Sequence, residues 1–201
     1  HRARSLHWVL ALLLGLAALA SLEVGATDVS LSALLLKLVQ GQELSHIEQI
    51  VLYDIRLPRL AMGIVVGSAL AVSGATMQGL FRNPLADPGI VGVGAGAGLG
   101  AILSIVLGSL LPASILAVAG NHLTSVAAFL GGWGSTLILY RVSTRHGRTS
   151  VATMLLAGIA LGSLAGAVSG ILVYMADDQQ LRDLTFWGMG SLAGARWTQG
   201  F

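Results

Sequence analysis

Arg56-Leu-Pro-Arg59 sets two guanidinium groups about one helical turn apart at the head of a long apolar run. Arginine in that place either snorkels toward lipid headgroups or pairs with carboxylates on a partner. A second group, Arg82-Asn-Pro-Leu-Ala-Asp-Pro-Gly89, carries Pro84 and Pro88. Proline fixes φ and lacks an N–H, so helices end cleanly on both sides and a short rigid elbow results. Covalent and acid–base chemistry have little to work with. The chain has no cysteine, its 9 acids fall in loops, and the apolar runs contain no paired carboxylates, no HExxH and no Ser/His/Asp set. Asn121 and His122 fall inside an apolar run, where polar side chains are costly. A lone histidine without a positioned partner reads there as a hydrogen bond to a neighbouring helix, and His46, in an outer segment, reads the same way. Gly92, Gly94, Gly96, Gly98 and Gly100 imitate a phosphate-cradling loop, but no Gly-Lys-Ser/Thr follows and no strand precedes. They read as helix packing, and any ATP must bind on another polypeptide.

The elements that hold these residues are membrane spans. The 201 residues are 55% hydrophobic and 10% charged, with 27 glycines and a mean hydropathy of +0.82. Soluble domains rarely approach that profile. A span needs roughly 20 apolar residues, and five stretches qualify: Leu6 to Leu22, Leu57 to Leu80, Ile90 to Leu111, Ser114 to Tyr140 and Val151 to Met175. The fold class is therefore all-α, a polytopic transmembrane helical bundle. The first stretch, with Arg2 and Arg4 before it and Ala18-Leu19-Ala20 at its end, also fits a cleavable signal peptide. Val29 to Val39 is too short to cross and contains Lys37, so it reads as an interfacial helix. Phe186, Trp187 and Trp197, beyond the last span, read as interfacial anchors.

Small residues at i, i+4 let helix backbones approach where lipid supplies no hydrophobic drive. Gly158, Gly162, Gly166 and Gly170 form one such ridge, and Gly63, Gly67, Ala71, Ala75 and Gly79 form another. With the start of the chain on the cytoplasmic side, the inner segments hold Arg2, Arg4, Arg82, Arg141, Arg145 and Arg148 against the single acid Asp87, while Asp28 and most other acids lie outside. That distribution follows the positive-inside rule, chiefly through the Arg141 to Arg148 loop. A formal charge of +2, with basic residues scattered over loops, offers no face for nucleic acid.

Arg56-Leu-Pro-Arg59, the small-residue helix with Ser73-Gly74 and Met77-Gln78, the Arg82-to-Gly89 elbow and the glycine-rich helix after it together resemble the permease subunits of ABC importers for iron-siderophores, haem and cobalamin. Met77 to Gly89 and Gln180-Leu-Arg-Asp-Leu-Thr-Phe-Trp187 are most similar to the haem permeases. The resemblance implies roughly ten spans per subunit, a homodimer, two ATPase subunits that bind ATP and Mg, and a periplasmic substrate-binding protein. No cofactor would be held by this chain, and haem would be the transported substrate. The whole chain, 1–201, would then be a single permease domain truncated on its C-terminal side, stopping at Phe201 where a sixth span begins and before the coupling helix. The location implied is the bacterial inner membrane, multi-pass, with the N-terminus cytoplasmic. By the same resemblance Asn83 and Leu85, with Ser143 and Thr144, close the cytoplasmic mouth of the path, and Arg56 and Arg59 dock the binding protein. Ferric siderophore and cobalamin are alternative cargoes. A membrane scaffold or a membrane-embedded enzyme is the alternative of another class.

Overall fold

The computed structural model describes residues 2–25, 29–145 and 147–197; Asp28 and Phe201 lie outside the described residues. Helices dominate: α1 (Arg2–Glu23), α2 (Leu31–Val39), α3 (His46–Gln49), a π-helical stretch (Ile50–Arg56), α4 (Leu57–Phe81), a 3-10 turn (Pro88–Val91), α5 (Val93–Leu107), α6 (Ala113–Ala119), α7 (Leu123–Ser143), α8 (Val151–Met175) and α9 (Asp178–Met189). A two-residue hairpin, β1 (Thr144–Arg145) and β2 (Arg148–Thr149), joins α7 to α8. Among the described residues, five helical runs are long and apolar enough to span a membrane: Arg4–Glu23, His46–Phe81, Val93–Leu110, Leu123–Ser143 and Val151–Met175.

Two of these runs differ from the sequence reading. The second continues back from Leu57 to His46, because the helix does not stop at Asp54 and Arg56 but widens. Leu57 donates its N–H to the Leu52 carbonyl, five residues back, in the turn just before Pro58. A proline ring clashes with the carbonyl four residues earlier and offers no N–H, and shifting that register by one residue accommodates both problems without ending the helix. The fourth run is shortened at its start. Gly120, at φ +47, breaks the chain after α6, so Asn121 and His122 sit in a 3-10 turn leading into α7 rather than inside a span.

The chain divides into two units, His1–Ala69 with Ser191–Phe201 and Leu70–Gly190. The first is tied together by polar contacts at helix ends. The Glu23 carboxylate, at the end of α1, accepts the Leu31 N–H at 2.6 Å and so caps α2. Lys37 of α2 meets Glu48 of α3 at 2.7 Å. The same Glu48 closes a capping box with Ser45. Leu34, Val51 and Leu52 are buried in this unit.

The second unit is built on α5, α7 and α8. Gly96 and Gly100 of α5 lie directly on Gly131 and Ala127 of α7, backbone against backbone: a Cβ on Gly100 would run into the Ala127 carbonyl, and one on Gly131 would stand 3.2 Å from the Gly100 Cα. Gly92, at φ +78, ends the 3-10 turn and starts α5 with its Cα face 2.9 Å (as a Cβ would measure it) from the Gly158 carbonyl of α8. Only glycine meets both conditions. Val91, Leu139 and Met154 form a buried cluster, with Met77, Phe81, Ala157 and Leu161 packed on it. α9 starts from an Asp177–Gln180 capping box, and Gln180 Nε2 donates to the Val106 carbonyl at 3.2 Å, which holds α9 at the C-terminal end of α5.

Candidate functional site

The Val91–Leu139–Met154 cluster gathers the end of α4, the start of α5, the end of α7 and the start of α8 at one end of the second unit. Both groups of residues expected at the mouth extend from that end. After Phe81 the chain turns through Arg82, which takes the left-handed region at φ +50. Asn83 Oδ1 accepts the Leu85 N–H at 2.9 Å, and Asp87 Oδ1 accepts the Gly89 N–H at 2.7 Å to cap the 3-10 turn that Pro88 begins. These are side-chain turns that set the backbone locally. Their product is Leu85, an aliphatic side chain left 82% exposed on a rigid elbow. Beneath it lies a cavity of about 190 Å³ whose lining includes Phe81, Asn83, Leu85, Val151 and Leu155.

Ser143 and Thr144 follow from Leu139 by one turn of α7. Ser143 is only 3% exposed, and its hydroxyl has no hydrogen-bond partner among the described residues. Its carbonyl accepts the Ser150 N–H at 2.9 Å, and Ser150 in turn caps α8. Thr144 faces Thr149 across the hairpin with the hydroxyls 2.9 Å apart. The sequence reading had a plain basic loop here; the hairpin turns through Gly147 at φ +73. The cluster thus brings both proposed mouth segments to one end, and each is set by hydrogen bonds of its own. Aliphatic bulk and small hydroxyls can obstruct or admit a solute, and the Asp87 side chain lines the same cavity as Leu85. Among the described residues no group of His, Asp and Glu could hold a metal ion.

Arg56 and Arg59 belong to the first unit and are unlike each other. Arg56 closes the π-helical stretch and is 6% exposed, with Nη1 donating to the Leu22 carbonyl at the end of α1. Arg59 is exposed, in the first turn of α4, and its Nη2 donates to the Ala193 carbonyl at 3.2 Å. Trp197 donates its indole N–H to the Tyr53 carbonyl at 2.6 Å, so residues 193 and 197 are both fastened to this helix. Sequence reading missed that fastening, since nothing in the local pattern links positions more than 130 residues apart.

The glycine ridges are used unevenly. Gly158 is buried against Gly92, and a Cβ on Gly162 would reach ordinary contact with Ala95 at 3.9 Å. On α4 a Cβ on Gly63 would touch Leu192 at 3.7 Å. At Gly67, Gly166 and Gly170 a Cβ would meet nothing within 4 Å among the described residues.

An all-α, multi-pass bundle with interlocked glycine backbones defines a polytopic membrane protein. Residues 12–201 match the model of the FecCD transport family, and the chain belongs to that family. It is 50% identical over 145 residues to the hemin transport system permease protein HmuU of Yersinia pestis, covering 72% of this chain and 42% of that protein. It is 41% identical over 177 residues to the vitamin B12 import system permease protein BtuC of Escherichia coli, covering 84% of this chain and 51% of that one. A solved metal-chelate type ABC transporter in an inward-facing conformation superposes with a TM-score of 0.75 at 30% identity, covering 97% of this chain and 56% of that chain. The chain thus spans about half the length, or less, of the curated relatives it matches.

Proposed function

We propose that this chain is part of the permease subunit of an ATP-driven importer that moves haem from a periplasmic binding protein to the cytoplasm by alternating access. The observation that carries the cargo is the 50% identity to a hemin permease, higher than the 41% to a vitamin B12 permease. The permease would sit in the bacterial inner membrane with its N-terminus cytoplasmic, paired with a second copy. Two ATPase subunits would bind ATP and Mg, and haem would pass as substrate rather than stay as a cofactor. In that setting the exposed Leu85, held by Asn83, and the Ser143–Thr144 corner form the cytoplasmic mouth, and the arginine face of the first unit receives the binding protein. An apolar path with few charges suits a largely apolar cargo that must leave as readily as it enters.

The test is ATP-dependent uptake into proteoliposomes by the full-length permease with its ATPase and binding protein, offering haem, a ferric siderophore and cobalamin in competition. Haem uptake alone supports the proposal. Cobalamin is the second reading, favoured by the longer alignment, 177 residues against 145, and its uptake would overturn the haem assignment while leaving the importer intact. ATP-independent behaviour toward all of them would point to a scaffold.

A further inference from the structure

We propose that the groove beside the π-helical stretch is a site for a zwitterionic phospholipid headgroup carrying a primary ammonium, with Arg196 on the phosphate and Asp54 on the ammonium. The proposal does not depend on the cargo. Ile50, Asp54, Ile55, Arg196 and Trp197 line a cavity of about 450 Å³, within the roughly 300–1,000 Å³ range of small-molecule sites. The π-helical register sets this face, since Ile50, Asp54 and Ile55, at i, i+4 and i+5, all line the one groove. Asp54 and Arg196 are both exposed, and no ion pair within 4.0 Å joins them. Opposite charges that line one groove without meeting suit a ligand that carries both charges itself. Asp54 also lies within a run apolar enough to span a membrane, where an ionisable side chain marks a functional site.

Depth makes that ligand a lipid. The run His46–Phe81 has 36 residues. At 1.5 Å per residue it is about 54 Å long, against a hydrocarbon core of about 30 Å. With Phe81 at one boundary, the turns around Asp54 overshoot the core at the other and reach the headgroup layer. The lining is mixed as that layer requires. Ile50 and Ile55 offer apolar surface to the first methylenes of a lipid, and the Trp197 indole is held as a wall by its bond to the Tyr53 carbonyl at 2.6 Å. An aromatic face also suits a cation. A guanidinium fork matches two phosphate oxygens, and a carboxylate accepts charge-assisted N–H bonds from an ammonium. A quaternary ammonium has no N–H to give, so Asp54 distinguishes ethanolamine from choline headgroups.

The test reconstitutes the full-length permease complex in nanodiscs of equal parts phosphatidylethanolamine, phosphatidylcholine and phosphatidylglycerol with identical acyl chains. Lipids retained on release from the disc are counted by native mass spectrometry. Phosphatidylethanolamine should be retained about tenfold over phosphatidylcholine, the worth of one charge-assisted bond. Asp54→Asn should bring the two close to parity. Arg196→Gln should lower both together and leave their ratio in place, because the phosphate is common to both. Equal retention of the two by the unaltered protein, or an unchanged ratio in Asp54→Asn, would overturn the site. A preference for phosphatidylglycerol would show a plain anion site and overturn it as well. An excess of soluble glycerophosphoethanolamine, or of the binding protein, should leave the bound lipid in place. Displacement by the first would assign the groove to a soluble aminophosphate, and displacement by the second would make it a protein-docking surface; either overturns the lipid assignment. A second measurement leaves both charges intact. Ile50→Cys, in a background otherwise free of cysteine, should react with a water-soluble maleimide several-fold more slowly in phosphatidylethanolamine nanodiscs than in phosphatidylcholine ones, and equal rates would overturn the proposal.

Discussion

The two units hold themselves together by opposite means. Between α5 and α7 the contact is made by what is missing, since Gly96, Gly100 and Gly131 bring backbone onto backbone. In the first unit the contacts are long or polar side chains reaching main-chain groups: Glu23 to Leu31, Arg56 to Leu22, Arg59 to Ala193 and Trp197 to Tyr53. In lipid, apolar side chains gain little by leaving one solvent for another like it, so close van der Waals contact and satisfied backbone groups carry association. At helix ends, the unpaired carbonyls and N–H groups need partners, and charged side chains supply them. The first kind of contact tolerates no added atom, whereas the second tolerates small changes of bulk and fails on loss of a donor.

The sharpest way to break this contrast is to add atoms to each. Gly100→Leu should have the largest effect of any single change, because its Cβ alone meets the Ala127 carbonyl and neither backbone has a side-chain end that can swing aside. Overpacking of a close interface costs about 1–3 kcal/mol or more even where neighbours yield; here we expect loss of the monodisperse peak in detergent size-exclusion chromatography. Gly166→Leu on α8 is the control, with nothing within 4 Å among the described residues, and should leave that peak in place for this chain. Equal damage from both would mean that glycine spacing, not backbone contact, sets the ridge's importance. Gly92→Ala comes next. It combines a left-handed φ of +78 with a 2.9 Å approach to the Gly158 carbonyl, and should lower the detergent melting temperature clearly without abolishing folding.

How much of this was legible in the sequence follows the same divide. Apolar length revealed all five spans, and Pro84 and Pro88 marked the elbow, because those signals are local. The π-helical stretch was hidden: Asp54 and Arg56 look like the end of an apolar run, and a one-residue change of hydrogen-bond register leaves no mark in composition. The break before α7 was legible in principle, since Gly120-Asn-His follows a short run headed by Pro112, but average hydropathy smoothed over it. The glycine spacing announced packing without saying against what. Gly96 and Gly100 found α7, while Gly166 and Gly170 have no neighbour within reach among the described residues. Of the site, the elbow could be read from Asn, Pro and Asp. The burial of Arg56 could not, because it depends on where α1 ends in space.

Smaller effects should come from helix ends in both units. Asp177→Ala removes the side chain that accepts the Gln180 N–H at 2.8 Å and the partner half of that capping box. The cost should be about 1 kcal/mol, read as faster amide exchange in the first turn of α9, with α8 unaffected. Exchange rising equally along α8 would mean that α9 is an integral part of that helix's packing rather than a separately capped segment.

Smallest of all should be the Lys37–Glu48 pair. At 2.7 Å it has good geometry, but Lys37 is more than one-third exposed, and solvent screens most of what such a pair gains. Glu48 also accepts the Ser45 N–H at 2.9 Å, a job that does not need the lysine. Lys37→Met should therefore shift the melting temperature barely at all, and Glu48→Gln, which keeps an acceptor for the Ser45 N–H, only slightly more. Their double-mutant coupling should fall as salt is raised. A large, salt-insensitive coupling would place the pair out of reach of solvent, and the first unit would then be held by a buried charge pair as well as by side chains reaching the main chain.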